Sequence, residues 1–185
     1  EGVLSFTVNG DGTLAVAGQA PEGFAVTAAG GVAAVTVTDT LTEVSLSKVD
    51  IDSNEALGGA EFTLEGAFSD GQGGSVERVG NDAAKVIVGA DGKLTVLGAS
   101  AVADGEGLNA IRGLVAGEEY ALTETRAPEG YELNTQPFVF TMGNDGAVVP
   151  AGEAWGWSVE GGSASIVAAD KAIEFRILKQ GRAIG

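Results

Sequence analysis

Residues 120–131 read Tyr-Ala-Leu-Thr-Glu-Thr-Arg-Ala-Pro-Glu-Gly-Tyr. The stretch begins as an alternating strand and ends in a Pro-Glu-Gly turn. With the two-residue period of a strand, Tyr120, Leu122 and Glu124 share one face, and Ala121, Thr123 and Thr125 share the other. A carboxylate therefore lies in phase with the apolar face. A charge placed there is costly unless it is neutralised or paired, so the rest of the chain must supply its partners.

Composition points the same way, to strands. The 185 residues include 30 Gly and only 4 Pro, and short alternating runs are broken by Asp-Gly and Gly-Gly. This predicts an all-β chain with room for one good-sized domain and a fraction of another. Against 26 Asp and Glu stand 10 Lys and Arg, a net charge of −16. That charge repels nucleic acid and anionic membrane surfaces. There is no Cys and no His, which removes disulfides, thiol nucleophiles, Cys/His zinc sites and any Ser-His-Asp triad. No apolar run reaches membrane-spanning length. With no recognisable signal or anchor, the chain is expected to be an excerpt of a longer one.

Self-comparison shows an internal repeat. Residues 4–12 (Leu-Ser-Phe-Thr-Val-Asn-Gly-Asp-Gly) resemble 138–146 (Phe-Val-Phe-Thr-Met-Gly-Asn-Asp-Gly), an offset of 134. Residues 32–48 resemble 163–179 at an offset of 131, aligning Asp39 with Asp170 and Lys48 with Lys179. The expected organisation is a tandem repeat array. Residues 1–40 are the C-terminal part of a preceding repeat, 41–171 a complete repeat, and 172–185 the first strand of a following one. Strands in the complete unit are expected at 43–50, 61–65, 84–88, 93–97, 118–125, 137–142, 155–159 and 164–170. Asp-Gly at 11–12, 91–92 and 145–146 marks hairpins. The 69–75 run reads as a loop, and the Ala/Gly-rich segment 98–110 admits a short helical turn.

Two more strands end on an inward charge. In 43–50, Val44, Leu46 and Lys48 are in phase; in 164–170, Ala164, Ile166, Ala168 and Asp170 are. Val35, Val37 and Asp39 repeat the second pattern, and Ile173, Phe175, Ile177 and Lys179 the first. For a single charge, a place at the sandwich rim is the ordinary reading. Three charges in phase, two of them recurring a period away, favour an inward cluster of Lys48, Glu124 and Asp170. Such a cluster is either a buried salt-bridged triad or a reaction centre. Burial depresses a lysine pKa and raises that of a carboxyl, and a neutral amine beside a neutral carboxylic acid is a nucleophile facing an electrophile. A second, protonated carboxyl can shuttle the protons. The product is a side-chain amide, and positioning supplies the effective concentration, so no cofactor is needed.

Three motifs carry a family resemblance: Val44-Ser-Leu-Ser-Lys48-Val-Asp50 followed by Leu57-Gly-Gly-Ala-Glu-Phe-Thr-Leu64, the 120–131 stretch, and the final strand ending at Asp170. Together they resemble the CnaB-type domain (SpaA-like, prealbumin-like) of Gram-positive surface adhesins and pilins. The resemblance implies an immunoglobulin-like or prealbumin-like β-sandwich, displayed extracellularly at the cell wall. It implies an isopeptide bond between Lys48 and Asp170, catalysed by Glu124. Asn is the commoner acceptor in that family; Asp170 would release water rather than ammonia. Gly58-Gly59 stands where Ala-Gly is more usual. By the same token Asp39 is the expected acceptor of the preceding repeat and Lys179 the expected donor of the following one. Neighbouring repeats, or the end of a second chain, would complete these partial sites.

The implied function is that of a structural stalk or fibre repeat of an adhesin or pilin, with single-turnover autocatalytic maturation and no enzyme turnover. Its partners are then neighbouring repeats, with no nucleic acid and no membrane insertion. The alternative is an adhesin module recognising a host protein or glycan through loops 69–75 or 98–110, or through Trp155 and Trp157, which are expected on one face, in the core or at an interface. A hydrolase using Glu124 and Asp170 as a carboxylate pair needs an open cleft, and the strand phases argue for a closed core. Ala20-Pro-Glu-Gly-Phe24 imitates the 127–131 turn but lacks the preceding Glu-Thr. Asp50-Ile-Asp52-Ser-Asn54 begins like a calcium loop, yet Glu55 stands where that loop requires Gly, so an acidic solvated loop is expected and no metal.

Overall fold

The computed structural model describes residues 3–21, 24–29, 32–37, 42–98, 105–160 and 164–178. They fall into two compact units, 1–40 and 41–185. Asp39 and Lys179, the expected partial sites, lie outside the described residues. No helix among the described residues is long and apolar enough to cross a membrane.

The larger unit is an all-β sandwich. One sheet has the order β10-β9-β8-β6-β12-β13-β14, with β7 (Ser75–Arg78) also pairing β6. These strands are β6 (Glu61–Ser69), β8 (Ala84–Val88), β9 (Leu94–Leu97), β10 (Gly105–Leu108), β12 (Glu119–Arg126), β13 (Phe138–Met142) and β14 (Val148–Pro150). The other sheet has the order β11-β5-β16-β15, built from β11 (Ile111–Arg112), β5 (Glu43–Asp50), β16 (Ser165–Asp170) and β15 (Trp157–Val159). The core lies between them. Val44, Leu46, Ile166 and Ala168 from the small sheet meet Phe62, Leu64, Tyr120, Leu122, Phe138 and Phe140 from the large one. Strict alternation produces this packing: β8 and β13 each bury every second residue, as a half-buried strand must.

The expected strands are present with ends shifted by one or two residues, and β6 continues to Ser69. β7, β10, β11 and β14 were not foreseen. β7 is exposed along nearly its whole length, so it lacks the apolar alternation that marks a strand. In the 98–110 segment residues 99–104 lie outside the described residues, and the described part contains strand β10, paired with β9. Gly and Ala leave no periodic signal there, and the open edge of β9 decides the conformation. The three Asp-Gly sites are hairpin turns with one geometry. Gly12, Gly92 and Gly146 have φ of 81°, 76° and 82°, and Asp11, Asp91 and Asp145 each accept the N–H two residues on.

The smaller unit consists of two antiparallel hairpins, β1 (Phe6–Val8) with β2 (Leu14–Val16) and β3 (Phe24–Ala29) with β4 (Val32–Val37). The first copies the register of β13–β14, and the second is antiparallel like β15–β16 with its two strands displaced by unequal amounts. Phe6 pairs Val16 as Phe140 pairs Pro150, both displaced by 134 (140−6, 150−16). Phe24 pairs Val37 as Trp157 pairs Ala168, displaced by 133 (157−24) and 131 (168−37).

Tyr120 locks the middle of the sandwich. Its ring stacks on Phe140 at 5.4 Å, and its hydroxyl donates to the Ala67 carbonyl and accepts the Val115 N–H at 2.6 Å. Burial pushes its pKa up to about 12, so it remains a donor. The ring passes over Gly66 (φ 142°), where a Cβ would lie 2.4 Å from Tyr120 Cδ1. Gly66→Ala is expected to cost about 2–4 kcal/mol, read as a lowered urea midpoint with an unchanged slope.

Candidate functional site

Lys48 comes from β5, Asp170 from β16 and Glu124 from β12. Alternation buries all three: they are the last inward positions of strands with burial at 44/46/48, 120/122/124 and 166/168/170. β5 and β16 are parallel neighbours in which Lys48 pairs Ala168. Asp170 is therefore one inward step further along the adjacent strand, within reach of the lysine's long side chain. Glu124 faces them from the opposite sheet, where it pairs Phe62 of β6. Directly after Glu124 the ladder is irregular, and the chain leaves the strand for the Pro128–Tyr131 turn, closed by Tyr131 N–H on the Pro128 carbonyl at 3.2 Å.

Lys48 Nζ is 3.1 Å from Glu124 Oε1 and forms an ion pair with Asp170 Oδ1. All three side chains are at most 1 % exposed. The surroundings are apolar: Nζ lies 5.9 Å from the centroid of the Phe62 ring, and Phe62 meets Trp157 edge-on, which stacks on Phe138. Apart from Lys48, neither oxygen of Asp170 nor Glu124 Oε1 has a partner among the described residues. Two carboxyls thus share one cation in a closed, apolar site. If both were ionised, one negative charge would stand uncompensated. Burial pushes the Glu124 carboxyl above the usual range, opposed by the Asn134 N–H and by the charge of Lys48.

No motif in the sequence points to Asn134. Its main-chain N–H donates to Glu124 Oε2 at 2.9 Å, and it is only 6 % exposed. An Asn whose Oδ1 accepts the N–H two residues on, as Asn134 does from Gln136 at 3.1 Å, is a turn signal; nothing in the sequence gives its burial. Asp50 Oδ1 accepts the N–H groups of Asp52 and Ser53 at 2.9 and 2.8 Å. These bonds, Ser53 first, hold its pKa below the usual range. No group of carboxylates among the described residues is arranged to hold a metal ion. Trp155 and Trp157 separate. Trp157 packs on Phe138, while Trp155 sits ahead of β15 and is 51 % exposed.

These features define a prealbumin-like β-sandwich with a Lys–Glu–Asp cluster closed inside it. The SpaA prealbumin-like fold domain family matches residues 42–152, more than half of the chain, and the chain belongs to that family. The match ends before β15 and β16, so Asp170 is placed by the structure alone. Similar solved structures include a C-terminal fragment of the pilus adhesin SpaC from Lactobacillus rhamnosus GG. It shares 17 % identity over 94 % of this chain and 71 % of that chain, with a TM-score of 0.47. The group B streptococcus pilus 2b backbone protein shares 17 % identity over 84 % and 52 %, with a TM-score of 0.42. The pilus adhesin RrgA from Streptococcus pneumoniae shares 16 % identity over 76 % and 16 %, with a TM-score of 0.46. No curated protein matches the chain.

A Lys48→Met variant leaves two buried carboxyls without their cation. The Glu124 pKa is raised above 4.5 by burial, so the folded chain keeps a proton that the unfolded chain releases. The stability linked to Glu124 is then greatest below about pH 4.5 and falls as the pH climbs from there through the raised folded value. Urea denaturation of Lys48→Met between pH 4 and pH 8 is expected to show this decline. Adding Glu124→Gln should reduce the slope.

Proposed function

We propose that this chain is a stalk segment of a Gram-positive pilin or surface adhesin, and that Lys48 and Asp170 condense to an isopeptide bond with Glu124 as the proton-transferring group. The single observation that carries this reading is the closed contact of Lys48 Nζ with Asp170 Oδ1 and, at 3.1 Å, Glu124 Oε1. The chemistry relieves the electrostatic problem of the site. A buried ion pair is costly to desolvate, whereas condensation replaces the ammonium and one carboxylate by a neutral amide. Glu124 remains as a neutral acid. Each chain reacts once. Membership of the SpaA family supports a place on the cell surface, outside the membrane.

The mechanical consequence follows from topology. The crosslink would join the first and last strands of the sandwich, which are adjacent and parallel over six residue pairs. Tension applied at the two ends loads that ladder in shear, and the covalent bond carries it. Closing a loop of well over a hundred residues also restricts the unfolded chain, an effect worth about 5 kcal/mol. The smaller unit fits the C-terminal part of a preceding repeat, because β1–β2 has the register of β13–β14 and β3–β4 is an antiparallel pair like β15–β16. Its core-facing positions are also uncovered. Phe6, Val8, Val35 and Val37 are 47, 63, 40 and 55 % exposed, while their counterparts Phe140, Met142, Ile166 and Ala168 are at most 2 %. On this reading 172–185 opens the next repeat, with Ile173, Phe175 and Ile177 awaiting a core. A second reading, recognition of a host protein or glycan, is favoured by exposed Trp155 beside an open groove lined by Phe138, Pro150, Glu153, Ala154 and Trp157.

Intact mass tests the first reading. The whole chain is expected to be lighter than its sequence by one water, and Glu124→Ala, Lys48→Ala and Asp170→Ala to keep full mass. Peptide mapping should join the peptides containing Lys48 and Asp170. A folded wild-type chain of full mass makes the cluster purely ionic and leaves recognition as the leading function.

A further inference from the structure

The chain between the Pro128–Tyr131 turn and β13 has one internal anchor. Of residues 132–137 only Asn134 is buried. Its side chain spends both of its polar ends on main chain: Nδ2 donates to the Trp155 carbonyl at 2.8 Å, and Oδ1 accepts the Gln136 N–H at 3.1 Å. Next to Trp155, the Gly156 carbonyl accepts the N–H of Ala169 at 2.6 Å, one residue before Asp170. Gly156 has room for no side chain. A Cβ there would lie 2.7 Å from the Ala169 oxygen and 2.8 Å from Asn134 Nδ2. Asn134 thus ties the loop that follows the Glu124 strand to the turn that borders the Asp170 strand.

The bond this anchor fixes is the one from Asn134 N–H to Glu124 Oε2 at 2.9 Å. It divides the carboxyl's two oxygens by role. Oε2 faces a donor and must accept; Oε1 faces Lys48 Nζ at 3.1 Å. We propose that Asn134 is a positioning residue for the condensation, holding Glu124 so that its exchangeable proton sits on Oε1, toward the reacting pair. This rests on the condensation proposed above and adds to it the device that orients the acid.

The step balances as follows. The Lys48 ammonium passes a proton to its ion-pair partner Asp170; the uncharged amine then attacks Cγ of the Asp170 carboxylic acid, and one Nζ–Cγ bond forms. The Glu124 Oε1 proton passes to the departing Asp170 oxygen, one Cγ–O bond breaks, and water leaves. A proton from Nζ returns to Oε1, so Glu124 ends as it began. A carboxyl turned over, with its proton on Oε2, has no acid to offer. The charged groups facing Glu124 are Lys48 from β5 and Asp170 from β16; Phe62 and Asn134 are uncharged. Because the N–H bond favours the ionised carboxyl, loosening it moves the titration of Glu124 to higher pH.

The test follows water loss over time by intact mass. Whole chains made by cell-free synthesis are released into buffers from pH 4 to pH 9. Asn134→Ala is expected to fold, by comparison of its circular dichroism with Lys48→Ala, but to lose water about tenfold or more slowly. The limb of its pH profile set by Glu124 should move to higher pH. Asn134→Ser, which keeps an acceptor for the Gln136 N–H, should recover part of the rate. The proposal is overturned if Asn134→Ala matches wild type, or if it slows only in proportion to its folded fraction with the pH profile unmoved. Should Asn134→Ala fail to fold, NMR of the uncrosslinked Asp170→Ala chain decides: the Asn134 amide proton must titrate with the Glu124 carboxyl carbon, and a flat signal overturns the role. Wild type of constant full mass sinks the condensation and the positioning role together. Wild type that reacts beside an unaffected Asn134→Ala sinks the positioning role alone.

Discussion

One ammonium shared by two buried carboxyls is the constraint on which this sandwich depends. Lys48, Glu124 and Asp170 are each at most 3 % exposed. Every strand that reaches the cluster must therefore end on a fixed register, because a slip of one residue would turn the charge outward and an apolar neighbour with it. The aromatic box of Phe62, Trp157 and Phe138 keeps the local dielectric low. That same low dielectric raises the pKa of Glu124 and makes an ionic resting state expensive. A single arrangement thus serves as a structural tether and as the starting geometry for the proposed condensation.

The topology gives the tether its meaning. β5 and β16 open and close the sandwich, and they lie side by side in parallel. Beyond Asp170 the chain stays attached: Glu132 N–H donates to the Lys171 carbonyl at 2.9 Å, and Ile173 N–H to the Gly130 carbonyl at 2.8 Å. The exit of the domain is therefore stitched to the turn that follows the Glu124 strand. Ile51 N–H likewise bonds the Asp170 carbonyl at 2.9 Å, and the Tyr131 hydroxyl meets the Asp50 carboxyl. The entry strand, the exit strand and the Pro-Glu-Gly turn are one hydrogen-bonded assembly at the end of the sandwich that holds the cluster.

Much of this was legible in the chain itself. A two-residue period is a direct readout of which side of a sheet a residue faces, so the inward phase of Lys48, Glu124 and Asp170 follows from their neighbours. The Asp-Gly hairpins were legible for a similar reason, since only the conformation of the turn is at stake. Short, exposed or Gly-rich strands were not. β7 and β10 owe their conformation to the open edges of β6 and β9, and an edge supplied by another part of the chain leaves no trace in local sequence. The separation of Trp155 from Trp157 has the same cause: the strand begins at Trp157, so the alternation assumed across both does not extend to Trp155.

By itself, then, the sequence determined the strand phases, the turn positions, the absence of sulfur and imidazole chemistry and the three charges that face inward. Periodicity and composition are local properties and need no partner to be read. That β5 and β16 are parallel neighbours, that Glu124 approaches from the opposite sheet and that the Asn134 N–H holds Glu124 Oε2 emerge only in the folded chain. Those facts are pairings between segments far apart in the chain, as in Lys48 with Ala168, 120 residues on (168−48). They are fixed by which apolar faces can close over one another rather than by anything within a single strand.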